Sequence, residues 1–380
     1  MSVQSPEIIL PQIKTVLEEG ANAGRDPSDA SRGGGAQIFA SIHDEPVIDF
    51  AIGDAQPGTS MTRDTLNLWL SASKPITAVC FAQQFEKHEV DLDTPVCEYL
   101  PDFAAHGKDA ITLKHVLTHT GGFRVVPYRY PKDSVDDVVA KICKSRPEPR
   151  WKFGKTAGYH LHTGWYILAA VVQKLSGQDY SHYVREHLFK PLGMDHCYVG
   201  MPSETYDTLK DNIAIMPNFD DGGSKGGLGD TAAEKAWVCG CRPGGNGYGP
   251  VRELARFYEM MLGGGERDGI RIIEPETVGL FTHRHREGAF DKTFGQTIDW
   301  GLGFLLDSKR HGEVDLHYGY GPHASDDTFG HSGYQSSAAF ADPHHGLAFA
   351  VVFNSTPGEN ENRQRMFQLL KTVYEELGLA

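Results

Sequence analysis

Long apolar runs are missing from this 380-residue chain. No segment approaches the ~18 consecutive apolar residues that a membrane-spanning helix requires, so none is expected. The N-terminal stretch MSVQSPEIILPQIKTVLEEG lacks a basic region followed by an apolar core. It reads as an amphipathic helix and not as an export signal, and a cytoplasmic location is expected. Basic charge is also scarce: 36 Lys and Arg stand against 50 Asp and Glu, for a formal charge of −14. With no Lys/Arg-rich stripe, a polyanionic partner such as nucleic acid is disfavoured. Cysteine is sparse, and the six (80, 97, 143, 197, 239 and 241) show no disulfide-framework spacing. Cys239 and Cys241 have no second Cys/His pair at ligand spacing, so neither metal nor cofactor is implied. Low-complexity tracts are absent, and a chain that is 40% hydrophobic has material for a large core.

What is present has a definite order. Residues 6–20 read as a helix, followed by a glycine-rich loop from Gly33 to Gly35. Residues 36–42 and 46–52 read as strands joined at His43, Asp44 and Glu45 in a hairpin. From about Ser71 the texture turns helical: Ile76, Val79, Cys80, Ala82 and Phe85 recur at helical intervals, as do Leu113, Val116 and Leu117. Residues 163–176 form an apolar helix stopped by Gly177, and 250–263 another stopped by glycines. Strands return at 336–341 and 347–354, and a helix over 360–377 closes the chain. Strand-rich ends around a helix-rich middle predict an antiparallel sheet flanked by helices, built from residues 1–68 and 300–380. A mainly helical domain, 69–299, is then inserted between its halves, with the active site between the two. The Gly/Asp-rich loops 217–232 and 240–249 are long enough to border a site or to be mobile insertions.

The chain contains one Ser-x-x-Lys, Ser71 to Lys74. Pro75 has no N–H and is tolerated only in the first turn of a helix, so that helix should begin near Ser71. Lys74 then lies one turn on, on the same face. This sets a hydroxyl at the positive end of a helix beside an amine able to take its proton. A surface serine cap followed by a solvated lysine has the same spacing. Gly330, His331, Ser332 and Gly333 suggest a nucleophile elbow instead, but strand texture follows where that motif needs a helix.

The segment LSASKPITA around Ser71 resembles the first motif of the serine β-lactamase and penicillin-binding-protein superfamily. The likeness is greatest to its class C branch and to family VIII carboxylesterases. Further stretches are similar in the same order: ITLKHVLTHTGGF (111–123), GYHLHTGWYILAAVVQKLSG (158–177), FKPLGMDHCYVGMP (189–202), RPGGNGYGPVRELARFYEMML (242–262), WGLGFLLD (300–307) and FGHSGYQSSAAFADPHHGLAFAVVFN (329–354). The resemblance implies a β-lactamase-like fold and a catalytic set of Ser71, Lys74, Tyr159 and His331. It also implies an oxyanion hole made by the backbone N–H groups of Ser71 and Tyr334. Tyr159, the second-motif tyrosine, would shuttle protons, its ionised form favoured by a nearby ammonium. His331 would orient Tyr159, and Gly333 would let substrate approach the strand edge. His160, Trp237 and Tyr248 are further candidates for contact with substrate.

Two departures narrow the substrate. Leu161 stands where the lactam-binding members carry an Asn that orients the substrate's carbonyl, and His331 stands where many carry Lys. Together they argue for a small or medium carboxylic ester over a β-lactam or D-peptide. The same first half-reaction would also serve an acyltransferase that delivers the acyl group to an amine or alcohol in natural-product assembly. A catalytically inactive binding relative is disfavoured because Ser71, Lys74 and Tyr159 are all present.

Overall fold

The computed structural model describes residues 7–25, 34–219, 228–312 and 316–380. Gly33 and positions 220–227 of the loop 217–232 lie outside the described residues. Both ends of the chain build one sheet. Its strands are β1 (Gly35–Ile42), β2 (Glu45–Gln56), β3 (Thr59–Ser60), β4 (Leu305–Leu306), β5 (Phe329–Ser332), β6 (Ser337–Asp342) and β7 (Leu347–Phe353). They lie in the order β4-β5-β6-β7-β1-β2-β3, every pairing antiparallel. The β1–β2 hairpin turns through His43 and Asp44, both at positive φ (50° and 66°), the conformation that matches strand twist. The β1–β7 pairing, Ala36 with Phe353 through Ile42 with Leu347, joins the two chain ends at the sheet's centre.

Alternation along the strands sends each side chain to one of two faces. Ile38, Phe349, Val351 and Phe353 pack with Ile13 and Leu17 of α1 (Pro11–Ala21) and with Leu369, Leu370 and Val373 of the closing C-terminal helix (Glu359–Glu376). Phe39, Ala339, Ala341, Ala348, Ala350 and Val352 face the other way, onto Val251, Leu254, Ala255 and Tyr258. The run of alanines on that face lets the helix Val251–Leu262 approach the sheet closely. This helix belongs to the stretch 69–299, so that stretch contributes a covering layer to the sheet as well as its own helices. The latter include α2 (Lys74–Lys87) and α3 (Thr163–Ser176), both in the larger apolar core. Thr163 through Val172 are all buried, and Gly177 ends α3 at φ 71°, a left-handed cap.

Two differences from the sequence reading have local causes. The first helix starts at Pro11, because Ile8 exchanges backbone hydrogen bonds with Asp49 and so runs extended beside β2. A helix over Val135–Lys144, unread in the sequence, is nucleated by a reciprocal cap between Ser134 and Asp137. Among the described residues no helix is long and apolar enough to cross a membrane.

Candidate active site

Ser71 lies in a single 3-10 turn, Leu70–Ser73, that runs straight into α2. Leu70 adopts φ 51°, a conformation that costs a branched residue on the order of 1–2 kcal/mol and is held only by its surroundings. Those surroundings grip the turn from two sides. Trp69 donates its backbone N–H to Gly247 (2.8 Å) and its indole N–H to Gly249 (2.9 Å), and Gly247 N–H donates to Ser73 Oγ (2.8 Å). From the sheet, Ser337 Oγ donates to the Trp69 carbonyl at 2.7 Å. Ala72, Ser73 and Lys74 are buried while Ser71 is partly exposed, so the turn presents one hydroxyl to the cleft.

Lys74 Nζ is 2.8 Å from Ser71 Oγ and donates to the Gly244 carbonyl at 2.7 Å. None of the lysine is exposed, and among the described residues no carboxylate bonds it. Burial, aided by the nearby charge of Arg242, holds its amine well below the ordinary lysine range. Tyr159 places its ring 5.1 Å from Nζ, with the Ser71 hydroxyl near its phenol. Burial pushes its phenol well above the ordinary value, and the Ser71 hydroxyl only partly offsets this. The sequence reading had an ammonium favouring a tyrosinate. The structure points the other way: desolvation works against both charged forms, lowering the Lys74 amine and raising the Tyr159 phenol, and so favours neutral amine and neutral phenol over the ion pair.

His331 flanks Tyr159 with ring centroids 5.7 Å apart. Its Nδ1 donates to the Ser332 carbonyl at 2.7 Å, which leaves Nε2 as an acceptor, buried without a partner. Burial and the proximity of Lys74 hold this imidazole neutral, its pKa well below the ordinary value. His119, which the sequence analysis did not single out, belongs to the same group. Its ring lies 4.9 Å from Tyr159 and 4.4 Å from Trp300, and its Nδ1 accepts from the His160 backbone N–H. Its Nε2 therefore carries the proton, also without a partner.

Tyr159 is held from behind by a buried ion pair that sequence reasoning missed. Asp291 Oδ1 accepts from the backbone N–H groups of Tyr159 (3.0 Å), Thr293 (2.9 Å) and Phe294 (3.1 Å), while Oδ2 pairs with Arg286 at 2.9 Å. Burial lowers the Arg286 guanidinium to about 10, with Asp291 opposing the shift. Arg242 was likewise missed as a site residue, although its segment was noted. An arginine opening a Pro-Gly-Gly stretch in a supposed surface loop was the available signal.

That loop, 240–249, is no flexible insertion. Residues 243–249 are all buried, and their glycines are demanded by close packing. A Cβ at Gly244 would come within 2.5 Å of the Trp165 ring, and one at Gly247 within 2.5 Å of Trp69.

The other expected site residues fare differently. Gly333 stands against the nucleophile turn: an added Cβ would meet Ser337 Oγ at 2.2 Å and the Trp69 carbonyl at 2.5 Å. Its small size thus admits the turn, where the sequence reading had it admit substrate. Tyr334, beside it, is exposed. His160 is fully buried, lowered by burial to about 3, and accepts from the Phe123 backbone N–H, so its ring braces the core. Tyr248 is also fully buried and donates to the Ala232 carbonyl. Trp237 is partly exposed and packs edge-on against Tyr130. Ser332 donates its hydroxyl to the Tyr318 carbonyl within β5, a strand and not an elbow.

Comparison with known proteins identifies the family and the fold. The chain is 28% identical over 358 residues to the esterase/beta-lactamase LipL of Mycobacterium tuberculosis, covering 85% of this chain and 77% of that protein. A penicillin-binding protein homologue from Caulobacter crescentus superposes with a TM-score of 0.74 at 25% identity, covering 96% and 98% of the two chains. A family VIII carboxylesterase shares the fold, with a TM-score of 0.76 at 24% identity and 98% and 100% covered. The family model for beta-lactamase matches residues 23–372, nearly the whole chain, and the protein belongs to the beta-lactamase family.

Proposed function

We propose that this protein is a serine hydrolase that cleaves small or medium carboxylic esters through an acyl-Ser71 intermediate. The observation that carries the reading is the 2.8 Å contact between Ser71 Oγ and a buried Lys74 amine to which, among the described residues, no carboxylate is bonded. A neutral amine has a lone pair for the serine proton, which an ammonium lacks. Ser71 Oγ attacks the ester carbonyl, its proton passes to Lys74, and the carbonyl oxygen becomes an oxyanion facing the N–H groups of Ser71 and Tyr334. Tyr159 gives its phenolic proton to the departing alkoxide and regains one from Lys74, leaving acyl-serine and free alcohol. His331, neutral and packed against the Tyr159 ring, orients the phenol through that ring contact. Water then enters by the reverse route and releases the acid.

Leu161 supports an ester over a lactam. It is 43% exposed at the position where an amide would grip a lactam's side chain, and it offers only apolar surface there. Exposed Tyr334 gives further apolar area beside Gly333, suited to an acyl chain. The reading is tested by labelling with a fluorophosphonate probe and by hydrolysis of 4-nitrophenyl butanoate. Ser71→Ala should abolish both while Ser332→Ala retains them. The opposite pattern would return the nucleophile to Ser332 and overturn the reading.

A further inference from the structure

Among the described residues, Arg242 is a cation without a counter-ion at the edge of this site. Its Nη2 bonds the ring of His162, an imidazole that burial and the charges of Arg242 and Lys74 hold neutral. Its guanidinium lies over two neutral aromatic rings, 5.5 Å from the centroid of Tyr130 and 5.9 Å from that of Trp237. Its Nε is buried and has no hydrogen-bond partner. Among the described residues no carboxylate forms an ion pair with it, although the chain carries 14 more acidic than basic groups. Arg242 is nevertheless partly exposed, as are His162, Tyr128, Tyr130 and Trp237 around it. Its distance from the chemistry is short. Lys74 bonds the carbonyl of Gly244, two residues along the chain, and the charge of Arg242 acts on Lys74 and Tyr159 alike.

A guanidinium presents a planar fork of donors matched to a carboxylate, and a partly desolvated one without an acid is an incomplete ion pair. Aromatic walls lower the local dielectric and strengthen any pair formed there. We propose that Arg242 binds a carboxylate of the substrate, so that the preferred ester is an anionic one, its acid group on either the acyl or the alcohol portion. This rests on the esterase reading above, which it deepens by naming the substrate class.

The test compares three esters on the intact protein: 4-nitrophenyl butanoate (neutral), mono-4-nitrophenyl glutarate (acid on the acyl side) and 3-butanoyloxybenzoate (acid on the leaving side). In the wild type one of the two anionic esters should exceed the neutral one in kcat/KM by tenfold or more, which also assigns the side. Arg242→Gln should cut that anionic-to-neutral ratio about 10–100-fold, the usual range for a lost charge-assisted hydrogen bond, and Arg242→Lys should restore part of it. Each variant is compared at its own pH plateau, because removing the neighbouring charge raises the Lys74 pKa and moves the acid limb upward. No preference for either anionic ester in the wild type, or an equal loss on all three in Arg242→Gln, would overturn the proposal. If no ester is turned over, the esterase reading fails, and calorimetric binding of glutarate and benzoate still decides. Binding at least tenfold weaker in Arg242→Gln supports the carboxylate site; equal binding, or none in the wild type, rejects it.

Discussion

Replacing Lys74 by Met probes the state of the base without any assay of activity. In the folded protein Lys74 is wholly buried and its amine is held well below the ordinary lysine range, chiefly by desolvation. In the unfolded chain the same amine is an ammonium up to about pH 10.4. Between the depressed folded pKa and that value, the unfolded state binds one more proton than the native state. Each unit of falling pH therefore costs the native state up to ~1.4 kcal/mol through this group, and stability rises with pH across the window. Methionine has similar length and no titration, so the variant lacks that slope. It also leaves the Gly244 carbonyl without its donor, a roughly pH-independent loss of about 1–3 kcal/mol. The difference in unfolding free energy, variant minus wild type, should thus move in the variant's favour by ~1.4 kcal/mol per pH unit on going down from pH 9. Urea unfolding at pH 9, 8, 7 and 6 measures it. Parallel pH dependences would mean that Lys74 is an ammonium in the folded protein, and the neutral-base mechanism would fall with it.

Tyr159→Phe should lower kcat by about 10²–10⁴-fold with little change in KM, because it removes a proton carrier and leaves the packing of the ring intact. Combined with Lys74→Met the loss should be far less than multiplicative; independent losses would show that the two residues share no relay. Gly333→Ala should destabilise by ~1–3 kcal/mol and impair acylation together, since its Cβ would press on the Trp69 carbonyl that shapes the nucleophile turn. Unfolding and labelling rates read both effects, and an unperturbed variant would contradict that packing. An acyl-enzyme formed from an activated ester should decay in plain buffer. An intermediate that persists until millimolar amine or alcohol discharges it would make the protein an acyltransferase.

The fold was largely legible because its signals are local. The apolar run 163–176 and its stop at Gly177 coincide with α3, and the two terminal strand groups pair at the centre of the sheet. Ser71 and Lys74 were legible for the same reason: one helical turn and a proline determine their relation. The groups that give them their chemistry are remote in sequence. Gly244 is 170 residues from Lys74, and Asp291 is 132 residues from Tyr159. No period or spacing encodes such contacts. The glycines of 244–249 misled for a related reason. In sequence they signal a loose loop, whereas in the structure they are what two tryptophan rings leave room for. The protonation state of Tyr159 was misjudged because charge proximity can be guessed from motifs, but burial cannot.

The most direct test of the account is time-resolved intact-mass spectrometry of the protein mixed with 4-nitrophenyl butanoate, followed by peptide mapping. The account predicts a transient adduct of one butanoyl group, located on Ser71, formed and lost at rates that match turnover, and absent in Ser71→Ala. Turnover without an adduct, or an adduct on any other residue, would contradict it.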